Sequence, residues 1–480
     1  MSVTHPRLND WPKSVMLFAA LLTPLASGCA TGQLKNLEPD PRSHYIMVHK
    51  EGYPLDRNEN ALSNDAFRNE YVEAILLGID RHVKQRWESK QVPQVLFFVH
   101  GGLNPYQTGL DRIGKLVNLK DEDEKKKDLL GRSSYYPVFI NWNSSFGSSW
   151  WDDNFMIRRG TRDPWGGFLT SPFVLAGRLA ESVLTAPREW WYQGDNAWKS
   201  IREPKSPDEK EADLVLDGVT YFGLLPGRGL TVPVLRAFGT PAWEMMKRRT
   251  DLLLARKLRP NDYAKEGAGR TFMEVLKERI PKDREGKPVK GKWGTGDGTE
   301  GPIEITLVGH SMGTMVLDRL LRAFPDVHFQ RIVYMAAASS IDDFEISVLP
   351  YLNNHTDSLF WGFSLSERDE TRERVGFDVI ERGSLLVWID NLFEHVLTPS
   401  QRRFGRYNYY CNYYQLPIQY LPMVRVIKFR GEEGQPRKHE EFDDEEKLEG
   451  MLRQVDPEAY PPISRLTPSD NAFEVNCAGR

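Results

Sequence analysis

The strongest chemical signal in the sequence is Gly309-His310-Ser311-Met312-Gly313. This G-x-S-x-G element follows the apolar run Ile303–Val308 and precedes Thr314–Phe324, where Met315, Val316, Leu320 and Phe324 recur at helical spacing. A strand that turns sharply into a helix forces the serine into a strained backbone conformation and lifts its hydroxyl above the sheet. Gly309 and Gly313 are small because a side chain at either position would meet neighbouring backbone. The helix N-terminus adds positive potential where negative charge develops on an attacked carbonyl. The chemistry this suits is acyl transfer with Ser311 as nucleophile. The plainer alternative is a Gly-rich turn that carries a surface serine.

Such a nucleophile needs oxyanion donors, a base and an acid. The strand-like Phe97-Phe98-Val99 ends in His100-Gly101-Gly102-Leu103, where glycines let backbone N–H groups approach a ligand. The expected donors are the N–H groups of Met312 and of Gly102, or of Leu103 if the loop is set one residue on. His100 is read as bonding the loop rather than moving protons. In the order Ser, acid, His, His439 is the only histidine after the last strong apolar run, Val424–Phe429, and is the expected base. His395 is its rival, placed within an amphipathic stretch formed by Leu385, Trp388, Leu392 and Val396. Asp369, in the loop after Leu359–Leu365, is the first choice for the acid. Asp342 and Asp343 are the runners-up, and Glu367 is a further option.

These groups need a scaffold. Val95–Val99, Val138–Ile140, Ile303–Val308, Ile332–Ala337 and Val424–Phe429 read as buried parallel strands. Leu359–Leu365 is a sixth strand, and His44–His49 an early edge strand. Between them, Val72, Leu76, Ile79, Val83 and Trp87 mark one helical face of Asp65–Trp87. Alternating strands and helices predict an α/β fold with a mostly parallel, doubly wound sheet. In such folds ligands bind beyond the carboxyl ends of the strands.

The elbow, the His-Gly-Gly loop and the late histidine, in this order, resemble the α/β-hydrolase superfamily, most closely bacterial members of unassigned substrate. Ile341-Asp342-Asp343-Phe344 after the next strand is similar to a segment found there. The resemblance spans Val95–Asn143 and Gly301–Phe442. It implies Ser311 as nucleophile, His439 as base, Asp369 as its orienting acid, and Gly102 and Met312 as oxyanion donors. The fold hosts esterases, lipases, amidases and acyltransferases, so it does not choose the substrate. The expectation is a serine hydrolase, esterase- or lipase-like, acting on a carboxylic ester or related acyl bond. A noncatalytic binding module on a hydrolase core and an acyltransferase are the alternatives.

The chain has 480 residues, 40% hydrophobic and 27% charged, with net charge −4. That supports a substantial core and gives no basic footprint for nucleic acid. Three cysteines make no disulfide scaffold. The histidines are scattered, and neither metal nor cofactor is expected. No apolar run reaches the roughly 18–20 residues of a membrane span. Arg7 and Lys13, the apolar Val15–Leu22 and Leu25-Ala26-Ser27-Gly28-Cys29 have the layout of a secretory signal. The segment resembles a bacterial lipoprotein signal, which implies cleavage before Cys29, lipidation of its thiol and export. Ala30 in place of Asp implies outer-membrane sorting facing the periplasm. The expected partners are therefore an acyl, ester or lipid substrate and a membrane held through the N-terminal anchor. In an oxidising compartment Cys411 and Cys477 either pair or stay free.

The expected organisation is a signal peptide (1–28), a linker (29–43), a first core part (44–143), a helical aromatic-rich insertion (144–245), a second core part (246–442) and a tail (443–480). Of the 13 Trp, seven fall in Ser144–Trp243: Trp150, Trp151, Trp165, Trp190, Trp191, Trp198 and Trp243. They suit a cap packed on the core or, as the second reading, a lid facing an acyl pocket or membrane. Ser171-Pro172 is expected to open a helix. Lys247–Ile280 reads as the crossover back to the sheet and Lys282–Pro302 as a loop. The tyrosines at 407, 409, 410, 413 and 414 read as an ordered loop.

Overall fold

The computed structural model describes residues 44–103, 106–116, 133–158, 160–202, 225–258, 263–373, 382–429, 431, 434–457 and 473–474. The strands, in chain order, are β1 (Tyr45–Val48), β2 (Pro54–Leu55), β3 (Gln94–Val99), β4 (Tyr135–Trp142), β5 (Ile157–Arg158) and β6 (Thr161–Arg162). They continue with β7 (Lys292–Gly294), β8 (Glu300–Pro302), β9 (Glu304–His310), β10 (Arg331–Met335), β11 (Leu359–Ser364), β12 (Val424–Lys428) and β13 (Phe473–Glu474). Nine of them form one sheet in the order β13-β12-β11-β10-β9-β3-β4-β1-β2. The outer pairs β1–β2 and β12–β13 are antiparallel and every other pair is parallel.

Burial on both faces explains why the strands read as continuous apolar runs. Along β3, Val95, Phe97 and Val99 enter one core, with Phe272, Leu317 and Val316. Leu96 and Phe98 enter the other, with Phe139, Val333 and Met451. The helices Glu73–Glu88 and Gly313–Ala323 follow the apolar spacing of the sequence. Strand order reverses between β3 and β9, so the chain ends of these two neighbours open a crevice at a topological switch point. Gly101 and Ser311 both follow those ends.

Several local expectations are corrected. The strand around Val138–Ile140 extends to Tyr135–Trp142 and contains Pro137. Pairing with β1 begins only opposite Phe139, so Pro137 has a strand partner on one side and its missing N–H breaks no ladder there. The segment His44–His49 is no edge, because β2 pairs outside it. Ser171-Pro172 does not open a helix. The helix runs from Pro164 to Arg202 with Pro172 inside, and the Ser171 hydroxyl donates to the carbonyls of Gly167 and Asn154. A second helix, Leu225–Leu253, crosses the expected boundary at 245 without a break. The return crossover is the separate helix Ala268–Glu278, and Lys282–Pro302 carries the β7–β8 hairpin. The tyrosine cluster forms a helix, Tyr407–Tyr413, with Tyr407, Tyr409 and Tyr410 buried.

The insertion divides into two kinds of aromatic. Trp150 stacks on Phe238 at 5.1 Å, and Trp243 is buried with its indole N–H donated to Glu394 at 2.6 Å. Arg249, also buried, ties this region to the core through Asp152 at 2.8 Å. By contrast Trp165 is 83% exposed, Phe173 79%, Leu184 81% and Trp191 76%. These lie on Pro164–Arg202 at spacings of three, four or their sums, one side of a helix. The expectation of a permanently packed aromatic cap therefore holds for only part of the insertion.

Arg406, fully buried, pairs with Glu367 and with Asp390 at 3.1 Å, and stacks over Tyr409 at 4.6 Å. Arg403 adds a 3.2 Å contact to Asp390. Removing one cation strands buried carboxylates, which costs about 3–5 kcal/mol. Arg406→Met is expected to lower unfolding free energy by that amount in urea titrations; a loss within about 0.5 kcal/mol, as for an ordinary surface change, would contradict this account.

Candidate active site

Ser311 has φ +52°, the left-handed region that L-residues rarely occupy. The strain is held by close backbone packing. A Cβ on Gly313 would lie 2.1 Å from the Val99 carbonyl oxygen, and one on Gly309 would lie 2.9 Å from the Thr314 nitrogen. A Cβ on Gly101 would sit 2.9 Å from the Ser311 Cβ. The Ser311 N–H donates to the Met335 carbonyl at 2.9 Å, and the Thr314 hydroxyl donates to the Ser311 carbonyl at 2.7 Å. Residues two before and two after Ser311 are thus glycines for steric reasons.

The structure brings Ser311 and His439 together, with Oγ 2.9 Å from Nε2. His439 starts a short 3-10 turn, His439–Asp443, after β12. Its backbone is held twice. The His310 Nε2–H donates to the His439 carbonyl at 3.1 Å, and the His439 N–H donates to Glu373 Oε2 at 3.0 Å. Burial pushes the His439 imidazole down to about 3; neighbouring His310 adds to this and Asp443 opposes it. A neutral imidazole can accept a proton from Ser311, as a general base must.

The carboxylate expected beside His439 is not found there. Nδ1 of His439 is buried without a hydrogen-bond partner, so Asp369 does not orient it. Asp369 lies in the first turn of the helix Glu367–Arg372 and accepts from the Ser366 hydroxyl at 2.6 Å. Glu367 is bound to Arg406. Asp343 forms a capping box with Ser340, and Asp342 stands beside it in the same first turn. His395 is bonded to Arg188 at 2.8 Å. The carboxylate whose charge reaches His439 is Asp443, four residues on. Its Oδ2 lies 3.4 Å from His310 Nδ1 in a buried cluster. The sequence signal for Asp443 is a His-x-x-x-Asp spacing on one turn, His439–Asp443, whereas the order of strands points to an earlier loop.

The Gly101–Gly102 segment passes directly over the elbow. A Cβ on Gly102 would lie 2.7 Å from Met312 Sδ and 2.8 Å from Met246 Cε. Neither the Gly102 nor the Met312 N–H has a protein acceptor among the described residues. The Leu103 N–H is spent on the Ser144 carbonyl at 2.9 Å, which removes the alternative register. His100 acts on the loop, with Nδ1 2.8 Å from the Gly101 carbonyl and Nε2 3.1 Å from Asn141 Oδ1. Behind the elbow lies a network the sequence did not suggest. Asp318, fully buried, accepts from the Tyr334 hydroxyl at 2.6 Å and from Ser339 at 2.5 Å. Burial raises its carboxyl to about 7. Ser311 itself is only 1% exposed. Cys29 and Cys477 lie outside the described residues; Cys411 is disulfide-bonded, and its partner also lies outside them.

The depressed His439 value makes stability pH-dependent with a definite sign. Between about 6.5 and about 3 the unfolded chain takes up a proton that folded His439 refuses, so stability falls as pH falls through that window. The difference in unfolding free energy between the wild type and His439→Gln is expected to shrink from pH 7 to pH 4. A difference constant over that range would contradict a buried neutral imidazole. No family model, curated protein or solved structure matches this chain.

Proposed function

We propose that this protein is a serine hydrolase of the α/β-hydrolase type that cleaves a carboxylic ester or related acyl bond through an acyl-enzyme. The observation that carries the reading is the 2.9 Å contact between Ser311 Oγ and His439 Nε2, at a left-handed elbow on the switch point of the sheet. Ser311 Oγ attacks the carbonyl carbon while His439 Nε2 takes the hydroxyl proton. The carbonyl oxygen becomes an oxyanion, and the free N–H groups of Gly102 and Met312 stabilise it. His439 then returns the proton to the leaving group. In the second half-reaction it activates water, which releases the acid and restores Ser311. Asp443 supplies the negative charge that favours the transient imidazolium, in place of the sequence choice Asp369. An acyltransferase would run the same first half and replace water by another acceptor.

A noncatalytic binding role draws on one specific observation, the unpartnered Nδ1 of His439. A fluorophosphonate probe separates the two readings. Labelling at Ser311 is expected, lost in Ser311→Ala and slowed by roughly 10³-fold or more in His439→Gln. Folded wild-type protein that never labels, or labelling that survives Ser311→Ala, would sink the hydrolase.

The site is proposed to work at a lipid surface, with the chain exported and anchored through Cys29. The exposed apolar side of Pro164–Arg202 supports that placement, since aromatic and aliphatic side chains gathered on one helical face favour a membrane interface. The disulfide at Cys411 suits an oxidising compartment. Phe173→Glu with Leu184→Glu is expected to release the delipidated protein from phospholipid vesicles while fluorophosphonate labelling in solution persists. Unchanged vesicle co-sedimentation would reject this face as the contact.

A further inference from the structure

At the opposite end of the sheet, His328, His355 and Asp357 converge. His328 lies in the segment before β10, and His355 and Asp357 lie just before β11. All three are therefore at the amino ends of strands, whereas Ser311 follows the carboxyl end of β9. One side-chain ligand atom from each of the three lies within 4.8 Å of the others. Nothing in the proposed acyl chemistry uses them.

We propose that His328, His355 and Asp357 form a binding site for a divalent transition metal of the zinc class. The hydrogen bonding of His355 is the first argument. Its Nε2–H donates to the Pro325 carbonyl at 2.8 Å. The proton is thereby committed to that nitrogen, and Nδ1 is left with a free lone pair. Nδ1 is buried and has no partner, in a residue only 4% exposed. A metal-ligating histidine characteristically gives its other N–H to a backbone carbonyl in this way.

The geometry around His328 is the second argument. Its Nε2 lies 3.1 Å from Asp357 Oδ2. Two ligands about 2.0–2.1 Å from one tetrahedral zinc stand about 3.3 Å apart, so this pair already has the spacing of adjacent ligands. His328 is 8% exposed, and its Nε2 makes no hydrogen bond of good geometry. Asp357 is half exposed and opens the cluster to solvent, leaving a fourth position for water. Lys290 is the competing cation, with Nζ 3.7 Å from Asp357 Oδ1 and bonded to the Asn354 carbonyl at 3.1 Å. It faces the other carboxylate oxygen and leaves Oδ2 to His328, while its charge reaches both imidazoles and competes with a metal. A plain His328–Asp357 ion pair would leave the lone pair of His355 unexplained.

The donor set of two imidazoles and one carboxylate favours zinc over calcium or magnesium, which prefer all-oxygen shells. The site ties the loop before β10 to the C-cap of Ile341–Asn354, so its expected role is structural.

The test uses the full chain after treatment with a chelator and its removal. Calorimetric titration with zinc chloride is expected to show saturable one-to-one binding, with a rise in Tm. Cobalt(II) is expected to give the visible bands of a four-coordinate nitrogen and oxygen site. Asp357→Asn, a change at an exposed position, is expected to weaken zinc by roughly tenfold or more. His328→Gln is expected to do the same. Fluorophosphonate labelling of Ser311 is expected to be unaffected in both variants, so failure of the metal site and failure of the hydrolase reading stay distinct. Absence of saturable zinc binding, or zinc affinity unchanged in Asp357→Asn, would overturn the proposal.

Discussion

The close approach of three backbone segments at Ser311 is the constraint on which the rest depends. A residue with a side chain is held at φ +52°, which costs on the order of 1–3 kcal/mol. The surroundings over-determine it. β3 and β9 are adjacent and parallel, so the turns after them meet, and Gly101, Gly309 and Gly313 let backbone reach within contact distance. With that turn formed, the Ser311 hydroxyl projects to the side where the chain after β12 returns with His439.

His439 is positioned by backbone rather than by its own side chain. His310 holds its carbonyl and Glu373 its N–H, while the imidazole reaches Ser311. His310 therefore has two duties in one motif. It belongs to the turn that carries Ser311, and it fastens the loop that carries His439. Its other nitrogen faces Asp443, so Ser311, His439 and Asp443 are joined through one imidazole. Burial keeps His439 neutral, and the same burial makes an unpaired Nδ1 costly, which gives the Asp443 carboxylate a physical reason to be close.

The insertion contributes differently along its length. Trp150, Trp243 and Arg249 bind it to the core through stacking, an indole hydrogen bond and a buried ion pair. Met246 brings the second long helix against Gly102. The outer side of Pro164–Arg202 instead keeps large apolar side chains in solvent. A contiguous apolar side of this size on a water-soluble surface is a cost unless another phase or surface meets it. The buried Arg406 and Arg403 cluster stabilises the part of the fold between β11 and β12, from which Glu367 was drawn as an acid candidate.

Patterns local to a few residues were legible in the sequence alone. The alternation of buried strands and helices, the G-x-S-x-G turn and the His-Gly-Gly loop follow from sterics within one or two elements, and strands expected at Val95–Val99 and Ile303–Val308 lie there within a residue or two. His439 was also legible, because strand order left one candidate. Pairings across the fold were not. Whether a carboxylate meets Nδ1 of His439 depends on how two loops from different strands pack, and Ser366 captures Asp369 locally. The cluster of His328, His355 and Asp357 was illegible for the same reason: its members come from two separate loops, which approach only because β10 and β11 are neighbours in the sheet. Local sterics, readable from residue types and spacing, specify which turns can form and which serine a strained turn presents. Tertiary structure alone decided which charges and lone pairs face one another, because those energies depend on distance and burial, and neither is set by spacing along the chain.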